Sequence, residues 1–194
     1  MKITLASTSK FKNKILDTVH IKHDQISPNC EEKSNYEDPY EYVKDIANQK
    51  LDSVTNYNTD IIISLDTIVL INNTIVEKPK SIEDAKNNLR NSSDNTTKVI
   101  TGIAMLNKIT NEKIVTYQET LVSFSNIDEE DIEYYITNEK DAMYASGFII
   151  ETICSNFIKE IKGSYYNILG VPVEKIYEIL RNWNIKLNNI NKTE

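Results

Sequence analysis

The chain has 194 residues, 40% of them apolar, and a formal net charge of -7. This length suits one domain or two small lobes with a proper core, and the acidic balance argues against duplex nucleic acid as a partner. No segment approaches the apolar length of a membrane span, and the apolar run in residues 1–5 is too short for the hydrophobic region of a signal peptide. Two cysteines, Cys30 and Cys154, make no disulfide framework, which favours a reducing, cytoplasmic compartment.

The N-terminal residues predict a strand that leads into a capped helix. Residues 2–6 form the strand, and Ser7, Thr8 and Ser9 follow it directly. Hydroxyl side chains at a strand-to-helix turn are typical helix caps. Together with Lys12 and the positive end of the helix dipole they also make a candidate anion site, and the sequence leaves both interpretations open.

Residues 20–38 are polar and predict an irregular stretch. It holds the only two histidines, His20 and His23, which the polar context predicts to be solvated rather than bound to a metal. Pro39 is typical of the first position of a helix, and apolar residues at helical spacing continue that helix over residues 39–54.

The most informative stretch covers residues 61–80 and reads IIISLDTIVLINNTIVEKPK. Its β-branched apolar run predicts a buried strand, and Asn72-Asn73 predicts a hairpin turn. Asp66 lies within the apolar run, where an unpaired carboxylate is costly. It therefore indicates either a metal, cation or substrate site or a carboxylate satisfied by a nearby lysine or backbone amide.

The second half of the chain predicts helices over 81–90, 128–137, 151–160 and 173–183, and strands over 98–106 and 113–124. The two strands are separated by a turn and predict an antiparallel ribbon. Alternating helices and strands indicate an α/β or α+β fold. We predict a single domain over residues 1–190 and a frayed tail over 191–194.

Two residue types are scarce. There are four glycines, so each marks a backbone position where a side chain is unwelcome: Gly102, Gly147, Gly163 and Gly170. Arginine occurs only at Arg90 and Arg181, which leaves lysine, a point charge, for most phosphate contacts.

Five short motifs occur in order along nearly the whole chain. They are LASTS at 5–9; EE at 31–32 with Ala47 and Lys50; LDTIV at 65–69 with EKP at 77–79; VITG at 99–102; and GSYYN at 163–167 with GVP at 170–172. Each motif is weak alone, but five in register make a specific signal. Together they resemble the Maf-like nucleotide pyrophosphatases (septum-formation-inhibitor family), within the inosine-triphosphate-pyrophosphatase-like fold.

The resemblance implies a mixed α/β fold of two elongated lobes with a central cleft. It implies a hydrolase of nucleotide metabolism that cleaves nucleoside triphosphates to the monophosphate and pyrophosphate and requires a divalent cation, Mg²⁺ or Mn²⁺. The substrates implied are non-standard or modified nucleotides, UTP, dTTP or 7-methyl-GTP. A homodimer is compatible with the family, and neither duplex nucleic acid nor a membrane is expected as a partner.

The resemblance also implies catalytic and metal-binding roles for five residues. Asp66 matches the family's acidic active-site position and is expected as general base or metal ligand. Glu32 is the better metal ligand of the acidic loop, with Glu31 close behind, because hard oxygen ligands suit Mg²⁺ or Mn²⁺. Lys50 and Lys78 are expected to neutralise the triphosphate during catalysis, since phosphoryl-type attack needs charge neutralisation.

The expected substrate-binding residues are Ser7, Ser9, Phe11, Lys12, Thr67, Glu151 and Ser164. The turn at residues 7–9 would donate amides and hydroxyls to phosphate, helped by Lys12. Thr67 follows Asp66 directly, where the family reads the base. Together these residues predict contacts to both the phosphates and the base of a nucleotide.

The chain departs from the family pattern at positions that bear on the substrate. Phe11 replaces the first arginine of P-R-R and could stack on a base but cannot fork onto phosphate. Met143-Tyr144 replaces an Asp-Lys pair, and Ser146 replaces a glycine before Gly147. At the position of Glu151, the pyrimidine-type branch of the family tends to carry Gln and the 7-methyl-GTP-type branch tends to carry Glu. The preferred base therefore stays open.

Two other classes of protein remain as alternatives. The first is a catalytically impaired nucleotide-binding protein, because the departures touch the site. The second is a scaffold that uses the acidic stretch at residues 128–133 as a contact surface, although such acids are typical of a helix's first turn and solvated face.

Overall fold

A computed structural model describes residues 1–76, 78–145 and 148–190. Four predictions fall outside the described residues: Glu77 in the hairpin motif, Ser146 and Gly147 in the later motif, and the frayed tail at 191–194. None of the helices in the described part of the chain is long and apolar enough to cross a membrane.

The strands are β1 (Ile3–Ala6), β2 (Asp24–Ile26), β3 (Ile61–Ile71), β4 (Thr74–Val76), β5 (Thr96–Asn107), β6 (Glu112–Phe124) and β7 (Ile158–Lys162). The α-helices are α1 (Lys10–Thr18), α2 (Pro39–Asp52), α3 (Ile82–Ser92), α4 (Glu129–Asn138), α5 (Tyr165–Ile168), α6 (Val173–Asn182) and α7 (Leu187–Ile190). Short 3₁₀ helices cover Lys140–Tyr144 and Ile153–Phe157.

The strands form a seven-stranded mixed sheet. Its order is β2-β1-β3-β5-β6-β7, with β4 paired to β3. Strand β1 lies parallel to both β2 and β3, whereas β3 with β4 and β6 with β7 are antiparallel. The prediction of a mixed α/β fold is confirmed.

The chain divides into two compact units. The first comprises residues 1–67, 100–118 and the chain from 165 onward, and the second comprises residues 68–99 and 119–164. In the first unit, β3 is buried on both faces, as its continuous apolar run predicts. Ile63 and Leu65 pack with α1 and α6 on one face, and Ile62 packs with Ala47 and Leu51 of α2 on the other.

The second unit is built around buried side chains of α3 and α4. Leu89 and Tyr135 are both fully buried. The Tyr135 ring lies 6.2 Å from that of Phe157, and its hydroxyl accepts a hydrogen bond of 2.8 Å from the Ile149 amide. Burial raises the pKa of the Tyr135 hydroxyl, so it stays a neutral core group.

The acidic face of α4 is partly used within the second unit. Glu129 accepts from Arg90 Nε at 2.6 Å, and Glu133 pairs with Lys86. Both partners are on α3, so part of the acidic stretch holds two helices together.

Three local predictions are wrong. Strand β2 lies inside the stretch predicted to be irregular, because it adds to the edge of β1 through backbone pairing that its polar side chains do not reveal. His23 is not solvated: its side chain is 1% exposed, with its ring nitrogens 2.7 Å from the Ile21 carbonyl and 2.9 Å from Asn13 Oδ1. Residues 151–160 do not form an α-helix but a 3₁₀ helix followed by β7.

Candidate active site

Asp66 projects from β3 toward helix α2. Side chains alternate along a strand, so Asp66 shares the face of Ile62, which packs on α2. On α2, Lys50 follows Ala47 by one helical turn and is only 9% exposed. The Lys50 ammonium donates to Asp66 Oδ1 at 2.7 Å. The strand and the helix therefore bring together two residues that are 16 positions apart.

Glu32 completes this cluster from the loop before α2. Its Oε2 lies 2.8 Å from Lys50 Nζ, and its backbone has a positive φ of 52°. Burial alone would lower the pKa of Lys50, but the charges and hydrogen bonds of Asp66 and Glu32 outweigh it and raise that pKa above its ordinary value. Lys50 is therefore a protonated cation held between two carboxylates.

Glu31, the other acid of the loop, lies outside the cluster. It pairs with Lys33 at 3.0 Å on an exposed surface. The backbone conformation at residue 32 therefore places Glu32, and not Glu31, in the cluster. The sequence ranked Glu32 ahead of Glu31 as the metal ligand but could not exclude Glu31.

The turn at residues 7–9 is tightly organised. Ser7 Oγ accepts from the Ser9 amide at 3.1 Å, and Ser9 Oγ accepts from the Lys12 amide at 3.3 Å as the N-cap of α1. Gln25 Nε2 donates to the Ser7 and Ser9 carbonyls at 2.8 and 3.2 Å. Sequence reasoning missed Gln25 because it lies on β2, the strand that was not predicted.

The Lys12 side chain reaches the other face of β3. Its ammonium donates to the Leu65 carbonyl at 2.9 Å. A Cβ added at Gly170, whose φ is 78°, would lie 3.0 Å from Thr67 Oγ1 and 3.1 Å from Lys12 Cε. Thr67 Oγ1 is also 3.1 Å from Thr101 Oγ1. Lys12, Thr67 and Gly170 therefore lie together.

Asp66 and Thr67 are neighbours in sequence but point to opposite faces of the sheet. The partner of Asp66 is on α2, whereas Thr67 meets Thr101 and Gly170. Their side chains can therefore serve different parts of a ligand but cannot act as one pair.

The other expected residues have no place in these two clusters. Phe11 lies on α1 of the first unit and is 53% exposed. Lys78, Glu151 and Ser164 belong to the second unit. There Lys78 and Glu151 are exposed, and the Ser164 amide donates to Thr120 Oγ1 at 3.1 Å.

Converging carboxylates around a buried lysine, with a hydroxyl-lined helix N-terminus at the end of the neighbouring strand β1, are groups suited to phosphate hydrolysis. Comparison with known proteins identifies the family to which a protein with these groups belongs. Residues 2–183 match the family model described as Maf-like protein, and the chain belongs to this family. The resemblance identified from the five motifs is confirmed.

Several relatives match nearly the full chain. The dTTP/UTP pyrophosphatase of Thermosipho melanesiensis is 34% identical over 181 residues, covering 93% of this chain and 97% of that protein. Proteins of the same name from Alkaliphilus metalliredigens and Clostridium perfringens are 35% and 32% identical, covering 92% and 96% of this chain and 94% and 100% of their own lengths.

Among solved structures, a HAM1 protein from Coxiella burnetii gives a TM-score of 0.49 at 13% identity, covering 94% of this chain and 99% of that one. The Staphylococcus aureus Ham1 protein gives a TM-score of 0.43 at 16% identity, covering 64% and 72%. At these TM-scores neither likeness bears on activity.

Proposed function

We propose that this protein hydrolyses a nucleoside triphosphate between the α- and β-phosphates and releases a nucleoside monophosphate and pyrophosphate. Full-length relatives named dTTP/UTP pyrophosphatase support this activity and favour dTTP and UTP as substrates. The observation that carries the proposal is the cluster of Asp66, Lys50 and Glu32, because it combines a candidate base with a cation for phosphate.

In this proposal Asp66 acts as the general base that takes a proton from the attacking water. Its side chain is 15% exposed, so it is enclosed yet reachable by solvent. Lys50 neutralises charge on the phosphates, and we assign Lys78 the same task. The turn at residues 7–9 and Lys12 would hold phosphate oxygens, since a helix N-terminus and its amides favour anions.

We assign base recognition to Thr67, with Phe11, Glu151 and Ser164 as further substrate contacts. The placement of Thr67 on the face opposite Asp66 supports this division, because the base and the reacting phosphate are separate parts of the substrate. The exposed ring of Phe11 is free to stack on a base.

Glu32 and Asp66 fit a divalent cation. The described residues hold no group of three or more His, Cys, Asp or Glu side chains around one ion. Mg²⁺, however, needs only one or two protein carboxylates when water and substrate phosphates complete its shell. These two oxygens converge on one nitrogen, at 2.7 and 2.8 Å. When bound, such an ion would neutralise charge on the phosphates.

The two cysteines support the proposed cytoplasmic setting. Cys30 and Cys154 are both free thiols. Thiols of this kind persist in a reducing compartment, where a nucleotide-pool enzyme would meet its substrates.

The test is pyrophosphate release from UTP, dTTP, CTP, ITP, GTP and 7-methyl-GTP, with Mg²⁺ and with Mn²⁺. We expect the pyrimidine nucleotides to be cleaved fastest, and Asp66→Asn to lower the rate by about 10²- to 10⁴-fold, the usual contribution of a general base. Asp60→Asn is the matched control, because Asp60 precedes β3 and its side chain accepts from the Lys2 amide, away from the cluster.

Asp60→Asn should keep the wild-type rate. Full activity of Asp66→Asn would remove Asp66 from the mechanism. Nucleotide binding without turnover by the wild-type protein would instead support the catalytically impaired alternative.

A further inference from the structure

The Lys50 ammonium already occupies the space between the two carboxylates proposed to bind the metal. Lys50 Nζ lies 2.7 Å from Asp66 Oδ1 and 2.8 Å from Glu32 Oε2. The same two oxygen atoms are therefore engaged by a cation of the protein itself. Lys50 is 9% exposed and the Asp66 side chain 15%, so water weakens this pair little, whereas the Glu32 side chain is 48% exposed.

A divalent ion bound between Asp66 Oδ1 and Glu32 Oε2 would take the position that this ammonium occupies. Mg²⁺ binds carboxylate oxygens at about 2.0–2.1 Å, well inside the distances at which the ammonium lies. Two cations among the same oxygens would also repel each other strongly in a partly buried site. Lysine has a flexible four-carbon stem, so its ammonium can move to another anion.

We propose that Lys50 is a resident cation that holds the metal position in the nucleotide-free protein and must leave Glu32 and Asp66 before a divalent ion binds there. This inference rests on the proposed function for the identity of the metal ligands. The phosphates of the nucleotide supply the new partner for Lys50. Metal therefore binds weakly to the free protein and tightly with nucleotide, and Lys50 couples the two events.

The coupling has a direct consequence for variants. Removing the Lys50 charge frees two carboxylates for metal, so metal affinity rises although the variant loses a group proposed for catalysis. A purely structural lysine would have the opposite effect, because its loss would disorder both ligands.

The experiment measures Mn²⁺ affinity in the absence of nucleotide, from the electron paramagnetic resonance signal of free Mn²⁺. Lys50→Met and Lys50→Gln should bind Mn²⁺ about tenfold more tightly than wild type, within the usual range of coupling between sites. Lys50→Arg keeps the charge and should stay close to wild type.

Lys44→Met is the matched control, since Lys44 is on the same helix and pairs with Glu41 instead. It should leave Mn²⁺ affinity unchanged. Adding Glu32→Gln to Lys50→Met should remove the gain, which locates the ion at this cluster.

A second measurement uses the wild-type protein, in case the neutral variants do not fold. Acetic anhydride labelling, read by mass spectrometry, should modify Lys50 faster in saturating Mg²⁺ than without metal, with Lys44 unchanged. Equal or weaker Mn²⁺ binding by folded Lys50→Met and Lys50→Gln, or unchanged labelling of Lys50, would overturn the inference.

These outcomes are independent of the proposed activity. Pyrophosphate release by wild type with no gain in Mn²⁺ affinity in the variants would reject the role of Lys50 as a resident cation and leave the proposed function in place. A gain in affinity without any hydrolysis by wild type would reject only the proposed function.

Discussion

At Gly102, strand β5 lies directly against the backbone of helix α2. A Cβ at this position would lie 2.0 Å from the Val43 carbonyl oxygen and 2.3 Å from its carbon. Both atoms are backbone, so no side chain can move aside. Because α2 also carries Lys50, a shift of the helix at this contact would move the ammonium relative to Asp66.

We therefore predict that Gly102→Ala destabilises the protein by about 3 kcal/mol and lowers hydrolysis, because overpacking pushes α2 away from the sheet. Gly170→Ala should cost less, about 1–2 kcal/mol, since its main penalty is the positive φ of 78° and its neighbours are side-chain atoms. Urea unfolding of both variants measures the difference. A smaller loss for Gly102→Ala than for Gly170→Ala would show that α2 adjusts freely.

Sequence alone could identify Asp66 but not its surroundings. A single acidic residue within an apolar strand is costly to bury, so the sequence alone marks Asp66 as unusual. Its contact with Lys50 depends on how α2 packs, and Gln25 depends on a strand with no apolar pattern. The interpretation of Asp66 as a carboxylate satisfied by a nearby lysine is confirmed, since Lys50 donates to it, whereas its role toward a metal or substrate stays a prediction.

At the scale of elements, the hairpin of β3 and β4 shows why some predictions succeed. Asn72 and Asn73 have φ of 51° and 60°, the left-handed pair of a two-residue turn that asparagine tolerates. Local chemistry determines this turn, so two letters of sequence predict it. Asn72 Oδ1 additionally accepts from Asn95 Nδ2 at 2.8 Å within the second unit.

Substitutions at Asn73 test this account of the turn. Asn73→Gly should leave the free energy of unfolding unchanged or raise it by up to about 1 kcal/mol, because glycine adopts positive φ without strain. Asn73→Val should lower it by about 1–2 kcal/mol, since a β-branched residue resists that conformation. Urea denaturation provides the comparison, and equal stabilities of the Gly and Val variants would contradict a turn held by positive φ.

Strand β7 shows the opposite case, in which pairing with another strand overrides a local pattern. Its register with β6 shifts so that Phe124 pairs with Ile158 and Ser123 with Glu160, which leaves Lys159 between them without a partner position. Ile158 and Ile161 are consequently both half-buried although three residues apart. That spacing is typical of a helix, and only the bulge in the sheet explains it.

At the scale of the whole molecule, the boundaries between the two compact units are unusual. The chain passes from one unit to the other after residues 67, 99, 118 and 164, and the first three of these positions lie inside β3, β5 and β6. Domain boundaries normally fall in flexible linkers with few hydrogen bonds. Continuous strands cannot unfold at one end without loss of pairing, which supports the prediction of one cooperative domain.

The chain offers one natural reporter of unfolding in each unit. Trp183, the only tryptophan, packs partly buried against the core of the first unit. Cys154 is fully buried in the second unit, and burial raises the pKa of its thiol to about 12. Near neutral pH this thiol is neutral and inaccessible, so it reacts with a thiol reagent only when its surroundings unfold.

We predict that Trp183 fluorescence and Cys154 labelling give the same urea midpoint in a Cys30→Ser background, which removes the half-buried second thiol. Leu89→Ala, which creates a cavity in the second unit, should lower the free energy of unfolding reported by both probes equally, by about 2–5 kcal/mol. Coincident transitions are the standard sign of two-state unfolding. If Leu89→Ala shifted the Cys154 transition and left that of Trp183 in place, the two units would be separate domains. The cluster of Glu32, Lys50 and Asp66 would then depend on the first unit alone, since all three residues belong to it.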